Sequence, residues 1–71
     1  MPELSETAVN NFEHLVDYYG IENIVRALSH ICSEKSIHIA ENWQDTNTAK
    51  VWMGYSVILD GALQKIESEG L

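Results

Sequence analysis

His30, Glu34 and His38 fall at successive intervals of four within "SHICSEKSIHIAENW". On a helix this spacing stacks three side chains on one face, and imidazole and carboxylate are the donors that build zinc and di-iron sites. Glu41 extends the same side. As a metal centre the set is incomplete. One helical face supplies two or three ligands, whereas a closed site needs about four. The di-iron bundles place Glu-x-x-His on facing helices, and this chain has a single Glu-x-x-x-His with no second copy. No metal or other cofactor is expected, and these residues are read as the solvated side of a helix.

Other reactive patterns fail for stated reasons. "DTNTAKVWMGYS" opens like a calcium loop at Asp45 and Asn47, but Lys50 stands where glycine is needed and Ser56 where glutamate is needed. Cys32 lies near His30 in sequence, yet the two point to different sides of a helix, so Cys32 is read as a small core residue. Glu13 and Asp17 are an isolated acidic pair, and there is no glycine-rich phosphate loop. No catalytic residue is assigned.

A different set of polar residues interrupts apolar stripes. At about 100° per residue, Lys35 falls between Leu28, Ile31 and Ile39, and Ser56 and Asp60 fall within the stripe of the last helix. A charge there needs a partner, so Lys35 is expected to pair with Asp60, lie over an aromatic ring, or reach out to water. Lys35, His38, Trp52, Ser56 and Asp60 form the candidate polar pocket. Its competing reading is a polar layer that fixes helix register.

The elements that must position these residues follow from periodicity. Ser5 is a plausible N-cap, and Leu4, Ala8, Phe12, Leu15, Val16 and Tyr19 recur at helical spacing up to Gly20. A second helix runs from about residue 22 to Trp43, with Ile21, Ile24, Val25, Leu28, Ile31, Cys32, Ile39 and Trp43 as its stripe. A third begins at an Asp45 or Thr46 cap. Its residues Ala49, Trp52, Ser56, Leu59, Leu63 and Ile66 alternate in steps of three and four, as in a coiled-coil seam. Strand alternation is absent. The 71 residues therefore predict one all-α domain over residues 1–71: a small three-helix domain whose second and third helices form an antiparallel hairpin. Facing residues in that hairpin should have numbers summing to about 90, with the first helix covering one side.

Composition narrows the function. Eleven acidic residues against four basic ones give a net charge of −7, which disfavours direct binding to nucleic acid or an anionic membrane. "MPELSETAVN" lacks a basic and an apolar leader segment, so no signal peptide is expected, and no apolar run approaches a membrane span. Cys32 is the sole cysteine, which excludes an internal disulfide and fits a cytoplasmic location.

Hydrophobicity is in surplus on the third helix. Beside its seam it carries Val51, Tyr55, Ile58 and Ala62, leaving only a narrow polar strip near Lys50, Gly54, Gly61, Gln64 and Lys65. A helix apolar nearly all round is covered on more than one side. A domain this short also buries only about 60 % of its unfolded surface. The expectation is a homodimeric helical bundle with Val51, Tyr55, Ile58 and Ala62 at the interface. The protein would be a non-catalytic adaptor or regulatory module, with an unidentified protein as a further partner. The competing functions are a ligand-binding or catalytic pocket at Lys35, His38, Trp52 and Asp60, and an acidic inhibitor that imitates nucleic acid.

Overall fold

Capping chemistry sets the helix boundaries. The Ser5 hydroxyl accepts from the Ala8 N–H at 3.1 Å and opens α1, Glu6–Tyr19. Asp45 opens α3, Thr46–Ser68, by accepting from the Thr48 N–H at 3.1 Å and the Thr48 hydroxyl at 2.7 Å. The second of these bonds, then the first, holds the Asp45 carboxyl below its ordinary pKa. Between them lies α2, Ile21–Asn42. The computed structural model describes residues 2–69, and no strand occurs among them.

A tight turn through Trp43, Gln44 and Asp45 folds α3 back along α2. Gln44 takes φ 53°, a left-handed conformation more usual for glycine after a helix end. The hairpin seam is built from small residues. Val25, Ser29, Cys32 and Ser36 are buried on α2, and Ala49, Ser56 and Leu63 on α3. Steps of four, three and four on one side and seven on the other are those of an antiparallel coiled-coil seam.

Serine hydroxyls in the seam need partners, and the backbone of the opposite helix provides them. Ser36 Oγ donates to the Ala49 carbonyl at 2.6 Å, and Ser29 Oγ lies 3.2 Å from the Ser56 carbonyl and 3.0 Å from Ser56 Oγ. No buried side-chain N or O among the described residues is left without a partner. Residue pairs that meet across the hairpin have numbers summing to 85–89, slightly below the expected register.

The first helix departs from expectation. It does not cover the hairpin. It approaches α2 alone, makes no contact with α3, and contains no buried residue. The joint explains why. Gly20 is at once the C-cap of α1 and the N-cap of α2, at φ 83° and ψ 155°. That region is essentially restricted to glycine. A helix folded back along its neighbour needs a connection of about two to five residues. A single residue cannot reverse the chain, so α1 leaves the end of α2 as an arm.

The resulting molecule is flat. Its extents are 38 × 31 × 16 Å, and a helix with side chains is about 10–12 Å across. The radius of gyration is 14.1 Å, against about 11 Å for a compact chain of this length.

Candidate functional site

The histidine–carboxylate edge lies on the outer side of α2, away from the seam. His30 Nε2 stands 3.6 Å from Glu34 Oε1, with both side chains well exposed. His38 is exposed and lies 3.1 Å from Asn42 Nδ2 through Nδ1. Among the described residues, no three His, Cys, Asp or Glu side chains come together as a metal cluster. The Cys32 thiol is buried in the seam.

The five residues of the candidate polar pocket occupy separate places. Lys35 Nζ lies 5.5 Å from the centroid of the Trp52 ring, in the range of a cation–π contact. Of the three arrangements open to Lys35 from sequence, the aromatic one is present. Asp60 instead accepts from Ser29 Oγ at 2.5 Å, and Ser56 shares that buried network. On the helical wheel, Lys35 and Trp52 share one face of the hairpin, and Asp60 lies on the opposite face. The ion pair of Arg26 with Glu67, at 3.9 Å and largely exposed, belongs to this second face and contributes little stability. His38 lies one helical turn beyond Lys35 and takes Asn42 as its hydrogen-bond partner. An open hollow of about 370 Å³ does exist, but it lies at the elbow and is lined by Tyr19, Gly20, Ile21, Glu22, Asn23 and Ile66.

The largest feature of the surface is apolar. Among the described residues fifteen large apolar side chains are exposed, and nine of them gather in two areas. One is the hairpin face that carries Lys35. Ile31 and Tyr55 are exposed on it, and Leu28, Ile39, Trp52, Leu59 and Ile66 are half-buried. Along its α3 edge run Val51, 50 % exposed, Ile58, 68 % exposed, and Ala62, also exposed. The four residues of the candidate dimer interface thus form one accessible stripe within the protomer.

The second area is the stripe of α1, where Leu4, Val9, Phe12, Leu15 and Tyr19 are all exposed. Sequence periodicity finds this stripe but assigns it to the protomer's own core. The signal to the contrary was the single residue between two strongly periodic helices. Gly54 and Gly61 face open space, since a Cβ at either would meet nothing within 4 Å.

Accessible area measures how open the chain is. It exposes 5802 Å². A compact folded chain of 8.0 kDa exposes about 4,500 Å². The excess, roughly 1,300 Å², exceeds the ~800 Å² that each partner buries in a standard interface. No helix among the described residues is long and apolar enough to cross a membrane. Comparison with protein-family models, with curated proteins and with solved structures finds no match for this chain.

Proposed function

We propose that this protein is a non-catalytic helical interaction module that completes its fold by pairing with a second copy through α3. The observation that carries the reading is the uncovered apolar area. Among the described residues no large side chain is fully buried, while Val51, Tyr55 and Ile58 stand exposed along one stripe. A two-fold axis beside α3 uses that stripe twice and forms a self-complementary interface. Helices stacked in a second layer would supply the cover that every stable layer architecture needs.

The acidic polar side of α1, with Glu6, Glu13 and Asp17, would then face outward as the surface offered to another protein. A cytoplasmic setting suits the single buried thiol of Cys32. A ligand pocket at Lys35, His38, Trp52, Ser56 and Asp60 has less support, because Lys35 with Trp52 and Ser56 with Asp60 serve two separate groups of contacts. Sedimentation equilibrium of the purified chain tests the reading. The expected result is a species of twice 8.0 kDa at micromolar concentration. A single 8.0 kDa species at high micromolar concentration would overturn it.

A further inference from the structure

The α1 arm carries an apolar stripe with nothing to cover it, and the hairpin carries an apolar face with nothing to cover it. The two cannot meet within one chain while Gly20 holds its present conformation. We infer that the two surfaces meet between copies: α1 of each protomer lies on the α2 side of the partner's hairpin face, over Leu28, Ile31, Lys35 and Ile39. This inference rests on the homodimer reading above and specifies which elements exchange.

Length fits. The α1 stripe from Ala8 to Tyr19 and the hairpin flank from Leu28 to Ile39 each span twelve residues, eleven rises of 1.5 Å or about 16 Å. Area fits as well, because the α3 stripe leaves the α2 half of the face open, and the excess accessible surface is large enough for both contacts.

Charge gives the direction. Lys35 is the one Lys or Arg on the hairpin face and lies in its middle, over Trp52. Every Asp, Glu, Lys or Arg of α1 is acidic: Glu6, Glu13 and Asp17. Glu13 sits about 40° from Val9, at the edge of the apolar stripe. When α1 is laid on the face, a covered ammonium meets a carboxylate at the rim, which removes the cost of leaving it unpaired. The Trp52 ring already holds the Lys35 head on that side of the hairpin.

The test is isotope-filtered NMR on a refolded equimolar mixture of labelled and unlabelled chains, with sedimentation on the same sample. Intermolecular NOEs from Phe12 and Leu15 to Ile31 and Ile39 are expected. If those NOEs occur only within a chain, or α1 shows none to a hairpin although the sample is dimeric, the exchange is wrong and the dimer stands. A monomeric sample overturns both. Charge reversal gives an independent reading, because Lys35 is exposed and its variants should fold. Lys35→Glu should weaken dimerisation at least tenfold, and adding Glu13→Lys should restore most of that loss. If the double variant binds no better than Lys35→Glu alone, Glu13 is not the partner of Lys35 and the docking as argued fails.

Discussion

Truncating Ile58 separates an unfinished core from a merely oily surface. Ile58 is 68 % exposed in the protomer, so it contributes little to the fold of its own chain. Removing an isoleucine side chain from water entirely is worth about 1.5–3 kcal/mol, and the two-thirds still exposed corresponds to about 1–2 kcal/mol. A two-fold interface counts this twice, giving roughly 2–4 kcal/mol for the dimer. Ile58→Ala forfeits most of it, so the dissociation constant should rise by about 30- to 1,000-fold. Ile58→Glu should go further, to a folded or partly folded monomer. The assay is sedimentation equilibrium across a wide concentration range, with helicity followed by circular dichroism at the same concentrations. Val57 is the control, being 64 % exposed but about 100° around the helix, off the stripe. Val57→Ala should change association by no more than about twofold. Equal effects at both positions, or no effect of Ile58→Ala on a wild-type dimer, would refute an interface built on this stripe.

Gly54→Ala and Gly61→Ala should each stabilise the protein by about 0.5–1 kcal/mol in denaturant melts, because a methyl group at either site meets open space. A loss of stability would show a partner's backbone passing there. Gln44→Gly should raise stability by about 0.5–1 kcal/mol, the left-handed strain of some 1–2 kcal/mol being only partly offset by glycine's extra chain entropy. Asp45 has a folded pKa below its unfolded value, so its stabilising effect is present above about pH 3.9 and is lost as pH falls through the folded value. Urea melts over a pH series should show this acid limb flattened in Asp45→Ala. Asp60→Ala should cost only about 0.5–1.5 kcal/mol, because Ser29 keeps its bonds to Ser56. A loss of several kcal/mol in chemical melts would mean that Asp60 has a buried charged partner.

Some elements were legible in the sequence because their causes are local. Ser5 and Asp45 cap where a short oxygen-bearing side chain precedes a periodic run. The α3 seam was legible too: Ala49, Ser56 and Leu63 are buried, with Trp52, Leu59 and Ile66 half-buried beside them. On α2 the sequence favoured the large residues and named Ile21, Ile31 and Trp43 among the stripe, all three of which are exposed. The helices instead meet along Ser29 and Ser36, whose polarity disguises them as surface. Hydrophobic periodicity finds an apolar arc, but it does not say which part of a wide arc faces the intramolecular partner. Asp60 was misplaced for a related reason. Lys35 and Asp60 lie near the same level, but on opposite faces of a hairpin only two helices wide.

The serine seam and the exposed apolar faces have one physical origin. Two helices can meet through large side chains, which bury much apolar area, or through small ones, which bring backbone close to backbone. This chain takes the second course, since Ser36 donates directly to a carbonyl of the opposite helix and Ser29 lies against Ser56 and Asp60 there. The reward is a fixed register with satisfied hydroxyls. The cost is a core whose buried apolar members are Val25, Cys32, Ala49 and Leu63. Each buried hydrogen bond contributes only about 0.5–1.5 kcal/mol net, and the ordering of every backbone residue costs about 1–2 kcal/mol. A seam of this kind specifies a hairpin without stabilising it generously. The large residues displaced from the seam, Ile31, Tyr55 and Ile58 among them, then lie on its faces. They can contribute only against a second layer, and α1, held away by Gly20, does not provide one to its own chain. If a second copy supplies that layer, as proposed, stability and association are coupled. Melting temperature should rise with protein concentration, as mass action requires when the partner binds only the folded state. A melting temperature unchanged across a hundredfold dilution would show that the hairpin and its arm are stable alone.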